Sequence, residues 1–299
     1  MQVVQLRKTS ARKHLSDTWG MPSPQPPANT GVHDASRAVA ELAGQLIDSL
    51  DTAEALAALL KGLRSFVEIE NLIVFSYRQG FAADLVFTSL DFDYLALQMA
   101  PYTSGLYLLD PFYIADTADG VVGLVRLEDV APEDFRQSEF YLQFYEAVNV
   151  LDELHFIVRL EPGRSVHVFV EREARRFDGS DVAMLAALEP LVSSFICKHW
   201  QWRDRSRADT GVSPIHAIGG IEGVIRNMRP GQLTPRESEV IGLSLRGHSS
   251  KLIAHQLGIS EGTVTNHKRN VYEKLGIHSQ SQLFSLFLTT LAADSAPPA

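Results

Sequence analysis

Three glycines near the C-terminal end, Gly247, Gly258 and Gly276, each stand two or three residues before a serine, with short apolar-periodic segments between them. Glycine tolerates the left-handed backbone that ends a helix, and serine supplies a hydroxyl that caps the next one. The stretch LTPRESEVIGLSLRGHSSKLIAHQLGISEGTVTNHKRNVYEKLGIHSQSQL is thereby divided into helices. Thr234 caps the first, Pro235 sits where a missing N–H costs nothing, and Glu237 completes a Thr-x-x-Glu capping box. Ser249 or Ser250 caps a second helix, Lys251 to Leu257, and Ser260 caps a third, Glu261 to Leu275. A fourth runs from Ser279 to Leu291.

A short helix, a tight glycine turn and a longer helix make a helix-turn-helix. The two helices can cross closely only over a small side chain, which Ala254 supplies, while Val264 fills the wedge between them. Ile253, Leu257, Val271 and Leu275 would share a core with Val240, Ile241 and Leu245 of the preceding helix.

The LTPRE start, Gly247, the run KLIAHQLGIS, Thr263 with Val264, His267 and NVYEKLGI together resemble the DNA-binding domain of the LuxR family of bacterial transcription regulators. The resemblance covers residues 230–291 and departs at 278–280, where His-Ser-Gln stands in place of the arginine many members carry. It implies an all-α four-helix domain, a homodimer on a two-fold symmetric operator in double-stranded DNA, and a contact with RNA polymerase if the protein activates. The last helix supports pairing separately. Leu283, Phe284, Leu286, Phe287, Leu288 and Leu291 exceed one buried stripe, so a partner helix or the protein's own first domain would have to cover the remainder.

If helix 261–275 enters the major groove N-terminus first, Thr265, Asn266 and Arg269 lie on one face and reach base edges. Asparagine pairs bidentately with adenine and arginine with guanine. Lys251, Ser260, Thr263, Lys268 and Lys274 are placed for phosphates, which position the helix without reading sequence. His267 reads as a packed or phosphate-facing side chain rather than a metal ligand, and no metal or cofactor site is expected.

The whole chain has 299 residues and 33.1 kDa, enough for about two domains. No run reaches the ~18 unbroken apolar residues of a membrane span, and the N-terminus lacks the apolar stretch of a signal peptide. The lone Cys197 can form neither an internal disulfide nor a cysteine zinc site; it reads as a packed thiol and suits a reducing cytoplasm. Residues 1–33, with four prolines between 22 and 27, read as a disordered tail, 34–208 as a sensor domain, 209–232 as a glycine-rich linker with room for one short helix, 233–291 as the DNA-binding domain, and 292–299 as a second tail.

The sensor region reads as α+β, an antiparallel sheet flanked by helices. Two helices open it, the second capped by Asp51 or Thr52. LIVFSY and DLVFTS form one hairpin; ELHFIVRL and SVHVFVE form another, with Val166, Val168 and Val170 alternating against a polar face. Residues 132–146 read as an aromatic helix opened by Pro132, and a long helix from about Gly179 to Arg205 has Pro190 as a kink. A phosphorylated receiver is excluded because Arg78 and Gln79, not acids, follow the first strand, and no phosphate-binding G-x-x-x-x-G-K-[ST] loop exists.

PYTSGLYLLDPFY loosely resembles the Tyr and Asp-Pro elements of acyl-homoserine-lactone-binding domains, but the expected tryptophans are missing, since Trp19, Trp200 and Trp202 lie elsewhere. Three readings stay open: a lactone receptor of the quorum-sensing kind; a PAS- or GAF-like pocket for another small molecule, lined by Tyr102, Tyr107, Asp110, Phe112 and Tyr113; or a ligand-free interaction module with these aromatics as core. Catalysis by Asp152, Glu153, His155 and His167 is the weakest alternative, because such residues on alternating strand positions read as a solvated face. It requires Asp152, Glu153 and His155 to converge in one cleft.

The net charge of −9 divides unevenly: residues 230–299 carry +1 and the rest −10. Acidity belongs to the sensor, and a nearly neutral reading head binds one half-site weakly.

Overall fold

The computed structural model describes residues 30–90, 99, 101–146, 150–207 and 220–294. Residues 1–40 form a unit of their own, in which the first half of α1 (Thr30–Ser49) is described. Of the stretches read as tails, 1–33 and 292–299, and as linker, 209–232, residues 1–29, 295–299 and 209–219 lie outside the described residues, whereas 30–33, 220–228 and 292–294 are helical.

The unit from Glu41 onward holds both the sheet and the reading head. α2 (Ala55–Arg64) buries Leu56, Leu59, Leu60 and Leu63. It is not capped by Asp51 or Thr52: Asp51 takes a left-handed conformation (φ 65°), Thr52 donates its hydroxyl to Ser49 O, and the helix begins only at Ala55. Aspartate tolerates that conformation better than most residues, so it turns the chain here instead of starting the helix.

Five antiparallel strands follow, β1 (Asn71–Arg78), β2 (Asp84–Thr88), β3 (Gly123–Arg126), β4 (Asp152–Glu161) and β5 (Arg164–Arg172), in the order β2-β1-β5-β4-β3. Both hairpins read from the sequence are present, and β1 joins them by pairing with β5, Val74 opposite Val168. The short edge strand β3 has no counterpart in the sequence reading; its four residues pair with Leu154–Ile157.

Strand alternation sends residues to two different cores. Leu72, Val74, Leu154, Phe156, Val158, Val166, Val168 and Val170 pack against α2 and α3 (Gly179–Arg207). Helix α3 runs through Pro190 and supplies Leu185, Leu188, Val192, Phe195, Ile196 and Trp200 to this core. Its first 27 residues are long and apolar enough to cross a membrane, but the buried stripe packed on the sheet accounts for that composition.

The other face of the sheet is not solvated. His155 and His167 are fully buried, and Glu153 and Glu171 are nearly so. Alternation reported a polar face correctly, but the segments between β2 and β4 cover it with aromatic rings. Residues 132–146 do this without forming one helix. A 3-10 turn at Phe135–Gln137 stops at Ser138, whose Oγ accepts from Tyr141 N at 3.1 Å, and a π turn follows at Tyr141–Tyr145. Phe135, Phe140 and Tyr145 are buried; the wider turn departs from the 100° step of an α-helix, which would spread these rings around the axis.

The head comprises α4 (Gly220–Met228), α5 (Pro235–Leu245), α6 (Ser250–Leu257), α7 (Glu261–Leu275) and α8 (Gln280–Asp294). α4 buries Ile221, Val224, Ile225 and Met228 and packs on α5 and α8. Most of the apolar excess of α8 is covered inside the chain: Leu283, Phe284, Phe287 and Leu291 are buried in a cluster shared with α4 and the aromatic segment 135–145, while Leu286 and Leu288 are half-buried at its edge.

Candidate functional site

Local chemistry fixes the head. Thr234 and Glu237 form both halves of the capping box, Ser249 accepts from Leu252 N, and Ser260 accepts from Thr263 N, each at 3.1 Å for the serines. Gly258 and Gly276 close α6 and α7 at φ 63° and 68°. Arg236, which the sequence reading left without a role, bonds Glu239 and the carbonyl of Leu257 and so ties α5 to the end of α6. Its i,i+3 spacing to Glu239 was the available signal. Val240, Ile253, Ala254 and Val264 form the small core at the helix crossing.

With Val264, Val271 and Leu275 holding one side of α7 inward, Thr265, Asn266 and Arg269 stand exposed on the outside. Thr265 Oγ1 donates to Glu261 O at 3.0 Å, which engages its hydroxyl within the helix. Lys251 is exposed at the start of α6. The hydroxyls of Ser260 and Thr263 lie 2.9 Å apart at the N-terminus of α7, where unpaired N–H groups attract an anion. His267 is half-buried. Lys268 is also half-buried, with Nζ 3.4 Å from Ser250 Oγ, and burial lowers its pKa. Lys274, read from the sequence as a phosphate contact, has Nζ 2.6 and 2.8 Å from the Glu237 carboxylate oxygens and so pairs with the capping box.

The five residues grouped as a sensor pocket separate into three environments. Tyr102 and Asp110 are buried together: Tyr102 donates to Asp110 Oδ2 at 2.6 Å and its oxygen is 2.7 Å from that of Tyr77. They border a small cavity of about 20 Å³ with Phe144, Tyr145, Glu153 and Glu171, room for about one water. Phe112 is fully buried, its ring 3.5 Å from that of His155, which stacks on Phe169 from the other side. Tyr107 and Tyr113, with Tyr77, form the aromatic wall of an open cleft of about 850 Å³ beside Asp116, Arg159 and Ser165.

The buried acids divide by their partners. Burial raises the Asp110 carboxyl, although His155, Tyr102 and the Phe112 N–H work against that. It pushes Glu153 up to about 8 and holds the His155 imidazole well below its ordinary value, and the two meet at 2.6 Å. Asp116 goes the other way: burial would raise it, but bonds from His167, Ser165 and Arg159 outweigh the cost and lower it. Asp152 lines a small pocket with Glu153 and accepts from Phe177 N, but His155 is not in the lining of that pocket. The convergence that catalysis required is therefore not met. Among the described residues no group of His, Cys, Asp or Glu could hold a metal ion.

Residues 231–287 match the family model described as bacterial regulatory proteins, luxR family. An HTH-type transcriptional regulator from the exeN 3′ region of Aeromonas salmonicida is 31% identical over 186 residues, spanning 61% of this chain and 94% of that protein. The transcriptional regulatory protein MctR of Rhizobium johnstonii is 45% identical over 51 residues, 17% of this chain and 24% of MctR. Among solved structures, the VqsR LBD domain from Pseudomonas aeruginosa superposes with a TM-score of 0.51 at 26% identity, covering 56% of this chain and 98% of that domain. The Aeromonas and Rhizobium relatives are transcriptional regulators, not enzymes, and the chain belongs to the LuxR family of bacterial regulatory proteins.

Proposed function

We propose that the protein is a cytoplasmic, homodimeric, sequence-specific regulator that reads a two-fold symmetric operator with α7 in the major groove, under the control of a small molecule bound by the sensor. One observation carries the DNA reading. Thr265, Asn266 and Arg269 share the exposed face of a helix whose opposite face is anchored in the core and whose N-terminus is capped. Lys251, Ser260, Thr263, His267 and Lys268 surround that face and would contact phosphates, Lys268 only if it leaves Ser250. Binding selection followed by titration tests the roles. Arg269→Ala should cost ~1–3 kcal/mol and relax preference at one base pair, whereas Lys251→Ala should weaken all sequences alike and reduce the salt slope by about one. Equal, sequence-independent losses from both would overturn the assignment.

The cleft at Tyr77, Tyr107 and Tyr113 supports small-molecule control. Its volume falls in the ~300–1,000 Å³ range of ligand sites, and an aromatic wall beside a few polar groups is their usual composition. The cavity at Tyr102 and Asp110 offers about 20 Å³ against about 850 Å³ in the cleft, which favours the cleft as the ligand site.

A further inference from the structure

Three helices of the head meet at one side-chain amide. Tyr272 of α7 donates to Gln280 Oε1 at 2.9 Å, Ser244 Oγ of α5 donates to the same oxygen at 3.2 Å, and Gln280 Nε2, at the start of α8, donates to Ser244 O at 3.2 Å. The roles are fixed by chemistry. Ser244 O can only accept, so the amide nitrogen faces it and the amide oxygen is left to the two hydroxyls. Burial raises the Tyr272 pKa, so the phenol keeps the proton that it donates. Ser244 is buried and Tyr272 and Gln280 are half-buried, which shields the bridge in part from water.

Helix geometry carries the bridge to the exposed face of α7. Residues 265, 269 and 272 follow the i, i+4, i+7 spacing of a single stripe. Thr265 and Arg269 stand exposed on it, whereas Tyr272, one turn further on, is drawn to α8. The apolar anchors Val264, Val271 and Leu275 hold the helix by non-directional packing, which tolerates a small roll about its axis. Lys268 and Lys274 also bond from α7, but through flexible four-carbon stems. The hydroxyl on the rigid ring of Tyr272 is the directional restraint. A roll of ~10° moves a side-chain tip ~6 Å from the axis by about 1 Å, more than the ~0.5 Å range that a hydrogen-bond length tolerates.

We propose that Gln280 is a specificity-determining positioning residue: by holding the Tyr272 hydroxyl it fixes the roll of α7, and with it the presentation of Arg269 to a base edge. The inference rests on the groove reading of α7, and Arg269→Ala separates the two. If Arg269→Ala leaves base preference intact, both fall; if it relaxes preference while the bridge variants do not, the positioning role falls alone.

The test uses full-length Tyr272→Phe, Gln280→Met and Ser244→Ala proteins, with urea denaturation to verify folding. Tyr272→Phe deletes one oxygen and leaves Gln280 bonded to Ser244, and after Gln280→Met the Ser244 carbonyl still accepts from Gly247 N. The probes are a duplex selected from a random library by the native protein and an unrelated duplex of equal length. Tyr272→Phe and Gln280→Met should each lower the ratio of selected to unrelated binding by about tenfold, within what one bidentate base contact is worth, and together by no more than either alone. The preference lost should be the one that Arg269→Ala loses, and Ser244→Ala, which spares the Tyr272 bond, should keep the native ratio. Equal losses on both duplexes, additive losses in the double variant, or a loss of preference in Ser244→Ala as large as in Tyr272→Phe would each overturn the positioning role.

Discussion

Lys274 of α7 and Glu237 of the first capping box form one ion pair, Nζ to Oε2 2.6 Å. A residue that reads from its spacing as a phosphate contact is thus spent on joining α7 to the start of α5. Burial works to raise the Glu237 carboxyl, but Lys274 and the Thr234 N–H and hydroxyl outweigh it and lower the pKa.

Lys274→Met should therefore destabilise the protein by about 0.5–1 kcal/mol, a modest figure because the lysine side chain is 36% exposed. A carboxyl with a lowered folded pKa contributes stability above its unfolded pKa and loses it as pH falls through the folded one. Urea denaturation from pH 7 to pH 3 should show that acid-side loss in the native protein and a shallower one in the variant. The salt slope of DNA binding should be the same in both.

Arg172 is the buried counterpart. It is 1% exposed, bonds Asp181 at 2.5 Å and Glu68 O at 2.7 Å, and lies over the Phe177 ring at 4.1 Å. It links the end of β5 to the first turn of α3. Arg172→Ala should cost about 3 kcal/mol in chemical denaturation, since it leaves the Glu68 carbonyl and the Phe177 ring without their partner and Asp181 with only the exposed Arg175. A cost below one kcal/mol would show that Arg175, which also bonds Asp181, suffices alone.

Glu153 predicts an opposite pH response. Its folded pKa is raised to about 8 by burial, so the stability associated with its protonated form is complete below the unfolded carboxyl pKa and is lost as pH rises toward 8. Glu153→Gln keeps a neutral group beside His155 and removes that titration. Melting temperatures between pH 5 and pH 8.5 should fall in the native protein and stay flatter in the variant, leaving the variant the more stable at the alkaline end.

The head was legible because its determinants are local. Thr234 to Glu237, Ser249 to Leu252 and Ser260 to Thr263 are each three residues apart, and Gly258 and Gly276 act on their own backbone. Both hairpins were legible for the same reason. What covers the sheet was not, because it depends on contacts between distant segments: Phe112 on His155 spans 43 positions, and Asp116 on His167 spans 51. Alternation at His155 and His167 located a polar face but carried no information about the rings above it. The partner of α8 was undecided for the same reason, and the Glu237 partner of Lys274, 37 positions away, could not be read from the sequence.

Because β5 is covered on both sides, its neighbours in sequence serve different purposes. Val166, Val168 and Val170 face the helices, whereas His167, Phe169 and Glu171 lie beneath the rings that bear on the head. Selection acting on this strand is therefore split residue by residue. Drift at the valines is limited by the packing of the sheet on its helices, while drift at the residues between them alters the buried polar layer and leaves that helix-facing core intact.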